Sequence, residues 1–207
     1  WQYQALKAAY ASGCTVKGLD EAIYKSIAAL KKMYYCGGDY GGFPYCVTTG
    51  AKAGGAKNTM TGAGTLCLQL FGEGRSSQAQ GGMGWLEKHF AKGDKVWCDY
   101  RQEGTGGFYA WYYCCQAIFQ GESGKGPFWN RWNKQMKKTL VRAQQADGHW
   151  ECPVGEAHHS GDQFTKHCYY TALACLCLEV YYRFLPTFKV KLSKPPAEAA
   201  PNPDAPN

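Results

Sequence analysis

Two kinds of apolar segment alternate along the chain. Residues 16–35, 77–91 and 127–145 are amphipathic, with apolar side chains at helical spacing on one side and charged side chains on the other. Residues 59–71, 109–120 and 165–184 are apolar on nearly every side. Because a helix that is apolar all round must be buried, the alternation predicts an all-α fold with two layers of helices. The apolar helices form the inner layer in this interpretation, and the amphipathic helices cover them.

An internal repeat supports this arrangement. Residues 61–68 match residues 171–178 in register, 110 positions apart, and the aromatic run 111–115 lies between them. A repeat of this kind is typical of stacked helical pairs. The segments give three full pairs and a leading half-helix at residues 1–10, which reads like the second half of another inner helix. A domain is therefore expected over residues 1–192.

Composition and charge narrow the possible partners. Hydrophobic residues make up 45% of the chain and aromatic residues 15%, which is enough for a substantial core. The net charge of +7 is spread over helix faces that we interpret as solvated, so no nucleic-acid partner is expected. No run of about 18 apolar residues occurs, so no transmembrane segment is expected. Residues 193–207 are rich in Pro, Ala and Asn and are expected to form a mobile tail.

The eleven cysteines include no C-x-x-C motif, which leaves zinc ribbons and thioredoxin-like motifs without support. Five of them lie in apolar helical runs, where a free cysteine behaves as a small hydrophobic residue: Cys67, Cys114, Cys115, Cys175 and Cys177. Cys36 and Cys46 flank a glycine-rich loop and could close it as a disulfide. This usage favours a compartment outside the cytoplasm, such as the periplasm or the cell envelope of a bacterium.

One stretch resembles the repeat signature of squalene cyclases. It contains Leu140, Gln144, Gly148 and Trp150, in the order Leu, three residues, Gln, a short gap, and Gly-x-Trp. In that family the glutamine tethers a neighbouring helix end and the tryptophan packs against it. The resemblance implies an α/α-toroid, of which this chain would form about three and a half helical pairs.

A second stretch, residues 162–174, resembles the last inner helix of protein prenyltransferase β-subunits, where a histidine binds zinc. His167 would be that histidine. In that family the other two zinc ligands, an Asp and a Cys, lie just before the aromatic run of the inner helix that comes before this one. This chain has Gly106 and Phe108 at those places. The acidic D-x-D-D motif of squalene-hopene cyclases is replaced by residues 57–60, which contain no acid. The resemblance therefore implies the fold and neither of these two chemistries, and we expect no zinc and no cofactor.

Some residues remain candidates for chemistry or binding. The candidate catalytic carboxylates are Asp99, Glu103 and Asp162, although a solvated or capping role is the alternative. The candidate metal ligands are His158, His159 and His167, whose spacing fits no common zinc template. The aromatic residues that could line an apolar cavity, or pack the core instead, are Tyr109, Trp111, Tyr112 and Tyr170.

Two functions are consistent with these patterns. The favoured one is a non-catalytic toroid-type binding or scaffold domain of a larger bacterial protein or complex, which engages a protein partner or an apolar ligand. The other is the C-terminal part of a terpenoid cyclase or prenyltransferase-like enzyme whose catalytic acid lies upstream. Whether the chain is an enzyme stays open. In either case, further repeats, a second copy of the chain or another subunit are expected to complete the helical layer.

Overall fold

The structure is a computed structural model that describes residues 1–36, 41–45, 56–92, 95–96, 107–152 and 162–183. The predicted all-α class is confirmed, because helices dominate the described residues and the strands are two residues long. The helices are α1 (Gln2–Ala11), α2 (Leu19–Met33), α3 (Asn58–Leu70), α4 (Ser77–Phe90), α5 (Gly107–Gly121), α6 (Pro127–Ala143), α7 (Gln163–Leu178) and α8 (Val180–Arg183).

Two short antiparallel hairpins interrupt the helical pattern. In the first, β1 (Tyr35–Cys36) pairs with β2 (Gly41–Gly42), and in the second, β3 (Ala91–Lys92) pairs with β4 (Lys95–Val96). The hairpins begin where predicted helices end: Tyr35 and Ala91 are the last residues of the predicted helices 16–35 and 77–91, and β2 and β4 lie in the segments that follow. The predicted tail and Cys46 lie outside the described residues. Cys36 is a free, exposed thiol in the structure, so the possible Cys36–Cys46 disulfide is not formed there.

Helices α3, α5 and α7 lie side by side and run in the same direction. The Cys115 thiol donates to the carbonyl oxygen of Cys177 at 3.6 Å, and the Phe108 ring lies 5.7 Å from the Tyr170 ring. The difference in residue number between the α5 residue and the α7 residue is the same in both pairs. Such a constant difference is possible only if the two helices run in the same direction. On the other side of α5, the Gln69 side chain donates to the carbonyl oxygen of Ala117 at 3.0 Å.

The approach of α3 to α5 depends on a glycine. A β-carbon at Gly62 would lie 2.8 Å from the Cys114 sulfur and 3.0 Å from the Cys114 backbone nitrogen. Gly62 near the start of α3 therefore contacts Cys114, while Gln69 near its end contacts Ala117, so contacts advance together along both helices. This is the parallel inner layer that the internal repeat predicts.

The amphipathic helices cover this layer. Helices α2 and α4 pack on α3, and α6 packs on α5. The side of α6 that faces α5 carries large buried rings, including Trp129 and Trp132, and it ends at Leu140. Ser76 accepts a hydrogen bond from the Ala79 backbone nitrogen at 3.3 Å and so caps the start of α4, as its residue type predicts.

Helix α1 differs from the other inner helices. It contacts α2 and α3, but it has no buried residue, and Ala5 and Ala8 are exposed. The ring of Tyr3, near the start of α1, lies 6.2 Å from the ring of Phe71, just after the end of α3. The Trp1 ring, before the start of α1, is stacked on Tyr112 of α5 at 6.4 Å. The prediction that residues 1–10 form the second half of an inner helix stays a prediction.

Candidate functional site

The side of α7 that faces away from α5 carries a row of exposed apolar side chains that no other described helix covers. Phe164 is 77% exposed, and Cys168 and Ala172 follow it at four-residue steps and are also exposed. Residues four apart lie on one side of a helix, so the three side chains form one stripe. We call this stripe the α7 edge.

The α7 edge arises because, among the described helices, α7 has an inner-layer neighbour on one side only. In α5, which lies between α3 and α7, eleven of fifteen residues are buried. In α7, four of sixteen are buried, and all four lie on the side opposite the edge. The prediction that residues 165–184 are buried all round is therefore wrong for this side of the helix. A terminal repeat that ends a layer needs a polar outer face. This side of α7 instead carries Phe164, Cys168 and Ala172, and the exposed polar residues Thr165 and Glu179 lie beside them.

The four aromatic residues predicted to line a cavity do not share one. Trp111 is fully buried beside Trp132, with ring centroids 5.8 Å apart. Tyr170 is fully buried between α5 and α7, beside Phe108. These two residues are core packing, the alternative that the sequence left open. Tyr112 is buried in the same core cluster, and with the half-buried Tyr109 it belongs to a second aromatic group.

That second group contains Tyr109, Tyr112 and Tyr113, with Trp1 stacked on Tyr112 at 6.4 Å. The hydroxyls of Tyr109 and Tyr113 are 3.3 Å apart. Burial, followed by the hydrogen bond with Tyr109, raises the pKa of Tyr113 above its ordinary value. The Tyr113 hydroxyl therefore stays neutral at physiological pH.

Thiols near this layer are also held neutral. Burial raises the pKa of Cys67 to about 11 and that of Cys115 to about 12. Burial raises the pKa of Cys114 further, with a smaller contribution from Cys115. Because the thiolate is the reactive form of cysteine, these three residues are suited to packing and not to nucleophilic chemistry.

Asp162 caps α7. Its carboxylate accepts a hydrogen bond from the Thr165 backbone nitrogen at 2.7 Å, and this bond lowers the pKa of Asp162 below its ordinary value. A carboxylate stabilised as an anion is a poor proton donor, so the geometry favours the capping role over the acid role. The other two candidate carboxylates, Asp99 and Glu103, lie outside the described residues.

His167 lies against another histidine. The rings of His149 and His167 are stacked at 4.2 Å, and the His149 Nδ1 lies 2.5 Å from an Asp147 carboxylate oxygen. Within the described residues, no group of three or more His, Cys, Asp or Glu side chains could hold a metal ion. His158 and His159 lie outside the part of the chain that the structure describes. Phe108, which the resemblance to prenyltransferases would put in the place of a zinc ligand, is fully buried in the core.

The stretch that resembles the squalene-cyclase signature joins α6 to α7. Trp150 is buried, as predicted, and its indole nitrogen donates to the carbonyl oxygen of Leu140 at 2.9 Å. The Trp150 backbone nitrogen donates to the Thr171 hydroxyl on α7 at 3.1 Å. Gln144 was predicted to bond to the end of an adjacent helix, but its side chain donates to the carbonyl oxygen of Gly148 at 3.0 Å. Gly148 has a φ of 94°, which turns the chain back towards α6 and brings its carbonyl within reach of Gln144.

The α7 edge and the stacked histidines are the features that sequence reasoning missed. The four-residue spacing of Phe164, Cys168 and Ala172 was visible in the sequence, but an apolar stripe of this kind is equally typical of a side that faces the core. The described helices include none that is long and apolar enough to cross a membrane. Comparisons with protein-family models, with curated proteins and with solved structures find no match.

Proposed function

We propose that this chain is a non-catalytic binding or scaffold domain of the toroid type, within a larger bacterial protein or complex. The α7 edge engages a protein partner or an apolar ligand, and the partner continues the inner helical layer. Further repeats, a second copy of the chain or another subunit could supply that continuation. The observation that carries the proposal is the exposed apolar side of α7, next to an α5 that is enclosed by its neighbours.

The chemistry of the described side chains supports binding over catalysis. Asp162 is an anionic helix cap, and Cys67, Cys114 and Cys115 are held as neutral thiols. The Tyr113 hydroxyl is likewise held neutral by burial.

The proposal is tested by placing a charge on the edge. Phe164→Glu adds a carboxylate at a side chain that is 77% exposed, so the fold should tolerate it. If a second copy covers the edge, sedimentation velocity detects an oligomer for the unchanged protein and a monomer for the variant. If the protein is monomeric, the apolar dye 1-anilinonaphthalene-8-sulfonate binds it, and the variant binds less dye.

Val16→Glu is the matched control, because Val16 is 67% exposed in the connection between α1 and α2. It adds the same charge away from α7 and should change neither measurement. A monomer whose dye binding is the same with and without Phe164→Glu contradicts the proposal.

A further inference from the structure

The outward side of α6 carries cations and no carboxylate. Lys134, Lys137, Lys138 and Arg142 all lie on this side and are exposed. Their spacing of three to four residues keeps them together along the helix. We call these four residues the basic face. Val141, 63% exposed, lies among them.

No other covering helix has this pattern. Helix α2 carries two carboxylates and three lysines, and α4 carries one carboxylate and one lysine. Helix α6 has no Asp or Glu in its whole length. The basic face is therefore not a general consequence of the net charge of the chain.

Local structure does not account for the basic face. Among the described residues, the four cations form no ion pair, whereas Arg131 on the same helix pairs with Glu87 at 2.7 Å. The helix dipole favours a cation in the last turn, which explains Arg142 but not the three lysines near the middle of α6. Like charges three or four residues apart repel one another and destabilise the helix.

The opposite side of α6 fixes how the basic face is presented. Trp129, Trp132, Met136 and Leu140 are buried against the rest of the molecule, so α6 cannot rotate about its axis. The cations consequently project from one convex side of a single helix. A convex surface that carries a row of charges fits a flat partner surface better than it fits an extended polymer chain.

We propose that the basic face docks on an anionic lipid bilayer surface. Lysines are compact point charges on flexible stems, which suit a diffuse layer of headgroups better than paired recognition of single phosphates. Val141 supplies an apolar side chain at the centre of the face that can enter the headgroup region. This surface lies on α6 and is separate from the α7 edge, so it extends the function proposed above and does not depend on it.

The test is co-sedimentation of the purified protein with vesicles. Vesicles of phosphatidylcholine with 30% phosphatidylglycerol are compared with pure phosphatidylcholine, at about 0.1 M and 0.5 M salt. We expect binding to the anionic vesicles at low salt, and its loss at high salt because the charges are then screened. The double variant Lys137→Gln, Lys138→Gln should bind roughly 30-fold more weakly, since each cation near an anionic surface contributes about 5-fold.

Lys17→Gln, Lys32→Gln is the control, because it removes the same charge from exposed positions outside α6. Its binding should stay within about 2-fold of the unchanged protein, since the screening length is only about 10 Å at 0.1 M salt. Circular dichroism verifies that both variants are folded. Equal losses in the two variants would show attraction by net charge alone and overturn the proposal.

Tighter binding to an oligonucleotide or to an acidic peptide than to the anionic vesicles, at equal salt, would also overturn it. Both are measured by fluorescence anisotropy with the same protein preparation.

Discussion

Replacement of Trp150 by alanine is the sharpest test of how α6 and α7 are joined. The indole is buried to 97% of its surface, with 3% exposed, and it lies in the main core cluster. Its nitrogen donates to the Leu140 carbonyl, one of the last four carbonyls of α6, which have no partner within a helix. Trp150 therefore fills core volume and also caps the end of α6.

The expected loss follows from both roles. Removal of a large buried aromatic side chain lowers the free energy of unfolding by roughly 3–5 kcal/mol, because of lost burial and of the cavity that remains. Trp150→Phe keeps most of the ring but loses the indole hydrogen bond, which is worth about 0.5–1.5 kcal/mol. The free energy of unfolding of the Trp150→Phe variant should therefore lie between those of the alanine variant and the unchanged protein.

Thermal unfolding followed by circular dichroism measures the effect. For a chain of this size, each 1 kcal/mol shifts Tm by about 2–4 °C, so Trp150→Ala should lower Tm by roughly 6–20 °C. Trp1→Ala makes the same chemical change at a side chain that is 65% exposed, and it should cost less than about 1 kcal/mol. If the two alanine variants melt at the same temperature, the inferred role of Trp150 is wrong.

Three further predictions test the inner layer and its ends. Gly62→Ala should lower the free energy of unfolding, measured by urea titration, by about 1–3 kcal/mol, because the new β-carbon meets the α5 backbone. Gly74→Ala is the control: its β-carbon meets no atom nearer than 3.5 Å, so the free energy of unfolding should change by less than about 0.5 kcal/mol. The pKa of Asp162 is lower in the folded than in the unfolded chain, so its stabilising contribution is present above about pH 4 and is lost as the pH falls through the folded pKa. Asp162→Asn keeps a capping oxygen that does not titrate. Between pH 5 and pH 3 the Tm of this variant, measured by scanning calorimetry, should therefore fall less than the Tm of the unchanged protein. Equal falls in Tm would count against the capping role. Brief alkylation with iodoacetamide at about pH 8, read by peptide mass spectrometry, should modify Cys168 well before Cys115, because Cys168 is exposed and burial raises the pKa of Cys115 to about 12; equal rates would contradict the burial.

Much of the fold could be predicted because it is encoded locally. Periodic apolar residues predicted α2 to α7, and most of their ends lie within two residues of the predicted positions. Pro127 begins α6 and Asp162 caps α7, and both residue types favour helix starts. The 110-residue repeat predicted that α3 and α7 have equivalent places in one layer, and the contacts through α5 agree.

The burial and the bonding partners of the candidate site residues depend on which helices pack against one another, and a local sequence pattern does not show this. Tyr109 and Tyr170 have similar sequence surroundings, yet one is half-buried and the other lies in the core, because their helices have different neighbours. Phe164 looks like a core residue in the sequence, and only the absence of a described helix beyond α7 leaves it exposed. Gln144 bonds to Gly148 because a left-handed turn brings that carbonyl close, which the spacing of the signature does not reveal.

The central claim is that the α7 edge is a contact surface of an inner layer formed by α3, α5 and α7. An experimental structure of the protein, determined by crystallography or by cryo-electron microscopy of the assembly it forms, tests this claim most directly. The account predicts three parallel helices with Phe164, Cys168 and Ala172 covered by protein or by an apolar ligand. An isolated monomer with these three side chains open to water, whose binding of the apolar dye does not depend on Phe164, would contradict it.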